Sequence, residues 1–196
     1  MGSERRYIDN LNISDIPWHR MITAYETSEN YPELLKTLDE MKDLDEVRRA
    51  WKEISDFEHQ STLFIPAPFV MVFLVRILEK AVNSPENPVA VWLADKLADS
   101  FIYYAEVCSD AEKVEHAEPL ENMSDIINDK YLLPENYTED DFDEYYDDFF
   151  PDDLFYSIYY YTGKVLLETL EIHDNSKLSN MKEKIRKFLK DFKNYG

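Results

Sequence analysis

The residues best suited by type and spacing to do chemistry lie between positions 58 and 61, where Glu58, His59 and Ser61 bring a carboxylate, an imidazole and a hydroxyl within four positions. Those are the parts of an acid-base or nucleophilic site. The frame such a site needs is missing. No Gly-x-Ser-x-Gly elbow surrounds the serine and no second acid is recognisable, so His59 is read as a helix-end residue that satisfies backbone carbonyls and fixes a turn. His19, His116 and His173 are scattered, and no metal centre is expected from the four histidines. Cys108 is the single cysteine, which excludes an internal disulfide and a cysteine-built zinc site. With Gly2, Gly163 and Gly196 as the only glycines, a glycine-rich phosphate loop is excluded and no cofactor is expected.

A second concentration of chemistry is acidic. From Tyr131 to Tyr161 the chain carries ten acidic and twelve aromatic residues, and neither Lys nor Arg occurs from Tyr131 to Gly163. Closely spaced carboxylates are what calcium needs, but an EF-hand requires a glycine at its sixth position, and this stretch has none. An acidic tract that only keeps a chain soluble is poor in aromatics; one rich in both suits a surface that docks a cationic partner. The residues expected to make that contact are Asp140, Asp141, Asp143, Glu144, Tyr145, Tyr146, Asp147 and Asp148. A competing reading uses the same residues. Phe142, Tyr145, Tyr146 and Phe149 are spaced by three and four, as one buried helix face would be, which leaves the carboxylates merely solvated.

The whole chain leans the same way, with 41 Asp and Glu against 21 Lys and Arg over 196 residues, a net charge of −20. Such a charge repels nucleic acid and anionic membranes and attracts cationic proteins, so neither direct nucleic-acid nor membrane binding is expected. A hydrophobic content of 44% is too high for a wholly disordered chain. The opening residues lack the apolar core of a signal peptide, and the apolar patch from Phe69 to Leu78 is interrupted by Arg76, so a cytoplasmic protein is expected.

Helical periodicity must position these residues. Pro32 opens a stretch marked by Leu34, Leu35, Leu38 and Met41, and Asp43 with Glu46 has capping-box spacing before Leu44, Val47, Ala50, Trp51, Ile54 and Phe57. The segment from Ser61 to Pro68 breaks the pattern. A third helix carries Phe69, Val70, Phe73, Leu74, Ile77 and Leu78, and Asn87 with Pro88 caps a longer one bearing Trp92, Leu97, Phe101, Tyr104 and Cys108. Between Ser109 and Asn136 the signal weakens, with one helical candidate near Leu120 to Asp129. A helix after Pro151 puts Leu154, Ile158, Tyr161 and Val165 on one face, although Gly163 within it is unfavourable. The last, with Leu178, Met181, Ile185, Phe188, Leu189 and Phe192, is the only basic element. No run alternates long enough to read as a strand. The expectation is one all-α domain over 1–196, built of antiparallel helix hairpins stacked as a short solenoid or folded into an irregular bundle.

From Trp18 to Leu78 the chain resembles a family of bacterial HEAT-like helical repeat proteins. The pieces that carry the resemblance are Trp18, Ala24-Tyr25, Tyr31-Pro32, Glu58-His59-Gln60-Ser61-Thr62, Ala67-Pro68-Phe69 and Phe73-Leu74. Where the family has glycine after Ala-Tyr and after His-Gln, this chain has Glu26 and Ser61. The resemblance implies a HEAT-like part over 14–108, followed by a weakly structured connection over 109–136 and acidic, aromatic and C-terminal helices over 137–196. It also implies a role in protein contact. Small acidic members of such families are similar to immunity proteins, so the function expected is an antitoxin-type module that is not an enzyme and blocks a basic toxin such as a nuclease. The alternatives are a nucleic-acid mimic that inhibits a DNA-binding protein, and a small helical enzyme using His59 and Glu58.

Overall fold

The computed structural model describes residues 7–142, 151–173, 178–190 and 192, and over these the chain is all-α apart from one two-stranded hairpin. Helices begin where the sequence offers a cap or a proline. Helix α1 (Tyr31–Glu40) has Pro32 in its first turn and ends at Met41, whose left-handed backbone (φ 48°) turns the chain and buries its side chain. Helix α2 (Leu44–Ile54) starts at Asp43, whose carboxylate accepts the amides of Asp45 and Glu46 at 3.0 and 2.9 Å. Helix α3 (Ala67–Val82) follows Pro66. Helix α4 (Pro88–Glu112) is capped by Asn87, which accepts the Val89 amide at 2.9 Å. Helix α5 (Asp152–Glu168) and helix α6 (Ser179–Phe188) follow, and residues 7–10 and 139–142 are also helical.

The order of packing follows from the lengths of the connections. Three residues separate α1 from α2 and five separate α3 from α4, so each pair folds back on itself. Between pairs, α1 packs on α3 and α3 on α5, while α2 packs on α4 and α4 on α6. Helix α5 also lies against α4, so it fills the cleft between the two helices of the preceding pair. The result is an irregular all-α bundle of paired helices with one continuous apolar cluster from Leu11 to Phe192.

Burial of α5 is nearly all-round. From Leu154 to Leu166 every side chain is buried except those of Phe155 and Lys164, the pattern of a helix enclosed by neighbours. Gly163, unfavourable on propensity alone, has a packing reason: a methyl group there would sit 2.6 Å from the Phe192 ring, which stacks on Tyr160. The missing side chain lets the C-terminal segment close onto α5.

The stretch between α4 and α5 is more ordered than its weak periodicity predicts. It folds as two 3-10 turns, Met123–Ile127 and Asp129–Tyr131, and buries Met123, Ile126, Tyr131, Leu132 and Leu133. Side chains far away in sequence hold it. Arg20 donates to the Leu133 carbonyl and, at 2.8 Å, to the Asp129 carboxylate, while Ser157 Oγ accepts the Leu120 amide at 2.7 Å. Helical periodicity cannot register a segment whose partners are 37 to 113 residues away.

One polar tie joins Thr23 to α1 and to the 3-10 turn Ser55–Phe57 that follows α2. The hydroxyl of buried Tyr31 donates to the half-buried Asp56 carboxylate, and Thr23 Oγ1 lies 3.0 Å from its other oxygen. Desolvation raises the Asp56 carboxyl above its ordinary value near 3.8, and these two hydroxyls offset part of the rise. Because the folded value lies above the unfolded one, this residue's contribution to stability is full below about pH 3.8 and is lost as pH rises through the folded value. Tyr31→Phe removes a donor to the ionised form. It is expected to cost about 1–3 kcal/mol at pH 7 and less near pH 4, as read from urea denaturation of both proteins at the two pH values.

Candidate functional site

Four tyrosines of α5, Tyr156, Tyr159, Tyr160 and Tyr161, are each at most 7% exposed. A buried phenol must find a hydrogen-bond partner, and three of these find theirs on elements that enclose one concavity. Tyr156 donates to Glu112 at the end of α4. Tyr161 donates to the Leu120 carbonyl at 2.7 Å, which holds the segment after α4 against α5. Tyr159 donates to the Ser61 carbonyl at 3.3 Å and accepts the Leu63 amide at 3.2 Å.

The last contact seats a small hairpin that sequence periodicity missed. Strand β1 (Glu58–His59) pairs antiparallel with β2 (Thr62–Leu63), and the two-residue loop Gln60-Ser61 has φ of 51° and 66°. Both loop residues are left-handed, as a tight two-residue turn of this kind requires, although neither is glycine. The strain is held by Glu58, whose carboxylate accepts the Ser61 amide at 2.8 Å and the Tyr103 hydroxyl at 2.8 Å. The other turn that lacks an expected glycine needs no left-handed residue: Thr23 Oγ1 accepts the amides of Tyr25 and Glu26, and Ile22 bridges Thr27.

Between this hairpin, the C-terminal turn of α4, residues 113–117 and the first turns of α5 lies a groove of about 690 Å³. Its apolar floor is Val107, Ala111 and Val114, and its aromatic wall is Phe155, Tyr156 and Tyr159. His116 stacks on Tyr156 with centroids 3.5 Å apart and planes 7° from parallel. Asp110, Glu115 and Asp152 supply the charge. Asp110 is bound at 2.8 Å by Lys113, whereas Glu115 and Asp152 have no ion-pair or hydrogen-bond partner among the described residues.

The groove is the middle of a longer patch. Among the described residues the large apolar side chains left exposed are Tyr25 (68%), Tyr103 (40%), Val114 (63%) and Phe155 (39%). Three of them adjoin: Tyr103 reaches Glu58 and lies 3.4 Å from Ser61 Oγ, and Ser61 lines the groove with Val114 and Phe155, while Tyr25 binds His59 Nδ1 at 3.0 Å on the other side of the strand. Most of the groove comes from a stretch poor in cations: from Leu97 to Gly163 the chain has nineteen acidic residues and two lysines, Lys113 and Lys130.

The residues expected from sequence to make the contact fall elsewhere or out of view. Asp140 is exposed. Asp141 is half-exposed and committed to a capping box, in which it accepts the Thr138 amide and hydroxyl at 2.7 and 2.8 Å. Those bonds hold its carboxyl below the ordinary value, and the Thr-x-x-Asp spacing was the sequence signal for them. Asp143, Glu144, Tyr145, Tyr146, Asp147 and Asp148 lie outside the described residues. Glu58 and His59 do not converge: as neighbours on a strand they project to opposite sides, one toward Tyr103 and the other toward Tyr25. Tyr103 and Asp152 were legible only as residues off the apolar stripes of α4 and α5. No single feature of the sequence brings the groove together, because its walls come from positions 61, 107–117 and 152–159.

The hairpin predicts its own test. A non-glycine residue in the left-handed region costs roughly 1–2 kcal/mol, which glycine relieves, offset in part by the greater entropy it gives the unfolded chain. Ser61→Gly should therefore raise the stability by about 0.5–1 kcal/mol, seen as a higher urea midpoint at unchanged slope; a lower midpoint would mean that the Ser61 hydroxyl contributes more than the turn costs.

Comparison of the chain with protein families, with curated proteins and with solved structures finds no match.

Proposed function

We propose that the chain is an acidic protein-binding module that captures a basic protein through the groove face, as an immunity or antitoxin-type protein blocks a basic toxin such as a nuclease. One observation carries this reading: three of the four exposed large apolar side chains of the described residues, Tyr103, Val114 and Phe155, gather at the groove, and all three come from the stretch Leu97 to Gly163, which has nineteen acidic residues and two lysines. Exposed aromatics of this kind mark contact sites, and aromatic residues supply the few positions that dominate binding energy. The surrounding carboxylates steer a cationic partner toward the patch and set its orientation.

Two further points support the proposal. The helices pack as antiparallel pairs, an all-α scaffold that can present such a face, with α5 filling the cleft between α3 and α4. Cys108 is buried in α4, where burial holds its thiol well above the ordinary value and therefore protonated and unreactive, which fits a binding module better than a cysteine-based enzyme. No described helix is long and apolar enough to cross a membrane.

The test is capture of basic proteins on the immobilised chain at low and high salt. Binding should fall as salt rises, and Tyr103→Ala with Phe155→Ala should weaken it by about tenfold or more without changing that salt dependence. Capture indifferent to both aromatic truncations and to salt would exclude the groove face.

A further inference from the structure

We infer that the groove between α4, residues 113–117 and α5 is an anchor pocket for an arginine side chain of the partner. The inference rests on the capture reading above and goes further by naming the group that enters. A volume of about 690 Å³ lies within the range of ligand pockets and is more than one side chain fills, so an arginine enters with the backbone on either side of it.

Each part of the lining has a counterpart in arginine. Val107, Ala111 and Val114 offer an apolar strip for the three methylenes. The planar surfaces of His116, stacked on Tyr156, and of Phe155 suit a flat guanidinium, which stacks on rings where a lysine ammonium cannot. Glu115 and Asp152 line the groove at exposed positions with no ion-pair or hydrogen-bond partner among the described residues, placed to accept the guanidinium's paired N–H groups. A carboxylate lining of this kind disfavours an anionic occupant, and the polar rim disfavours a purely apolar one.

The wall is also held in place before any ligand arrives. Tyr156 ties down Glu112, Tyr161 and Ser157 tie down Leu120, and Tyr159 ties down Ser61. A groove fixed in this way loses little freedom when it is filled.

The experiment uses the full chain, isotope-labelled, titrated with three short capped peptides identical except for a central arginine, lysine or citrulline. Citrulline keeps the shape of arginine and removes its charge. The arginine peptide should shift the resonances of Val107, Val114, His116 and Phe155. The lysine peptide should bind several-fold more weakly and the citrulline peptide at least about tenfold more weakly. Glu115→Gln with Asp152→Asn, both at exposed positions, should bring the arginine peptide down to the citrulline level, with an unchanged folded spectrum as control.

Equal affinity for arginine and citrulline peptides, or shifts confined to other faces, would overturn the inference. So would self-association that the double variant abolishes, since the occupant would then be a second copy. If basic proteins are still captured in a salt-dependent way while the peptides miss the groove, the arginine pocket fails and the capture reading stands. If the peptides seat as expected but no basic protein is captured, the capture reading fails and the pocket stands.

Discussion

Four buried tyrosines on a single helix constrain the rest of this molecule. Helix α5 fills the cleft between α3 and α4 and is enclosed on nearly every side, so its phenol hydroxyls must be satisfied inside the protein. Tyr156, Tyr159 and Tyr161 take their partners from the end of α4, the β1–β2 hairpin and the segment around Leu120. Each bond fixes an element that has little local reason to be where it is. The hairpin has two-residue strands and no glycine in its turn, and the segment after α4 has no helical period. The groove is the space those tied elements enclose.

The same constraint divides the acidic, aromatic stretch into parts with different roles. Judged by composition, Tyr131 to Tyr161 reads as one docking surface. In the structure Tyr131 and the tyrosines after Pro151 are core, and Phe155 is the aromatic of α5 that remains exposed. Aromatic content therefore reports packing as readily as contact, and helical phase separates the two. Phe155 and Tyr103 stand outside the stripes that Leu154–Ile158–Tyr161 and Phe101–Tyr104–Cys108 define, and both reach the surface.

Helix positions were legible because their signals are local. Pro32, Asp43, Asn87 and Pro151 sit at or within a few residues of the starts of α1, α2, α4 and α5, where the missing amide proton of proline is harmless or a side-chain oxygen satisfies an amide. The groove was not legible because its residues meet across tens of positions, and nothing in the periodicity of Ser61, Val107 or Phe155 names the others. The left-handed pair Gln60-Ser61 is the clearest case, since a bond within the hairpin, from the Ser61 amide to the Glu58 carboxylate, and a distant one, from the Tyr159 hydroxyl to the Ser61 carbonyl, hold a conformation that residue type disfavours.

The central claim is that this tied face, and not the rest of the bundle, meets a cationic partner. Hydrogen–deuterium exchange of the chain with and without a saturating basic protein at low salt tests it most directly. The account predicts added protection in residues 58–63, 103–117 and 152–159, with α1, α2 and α6 unchanged. Protection confined to α1, α2 or α6 would contradict it.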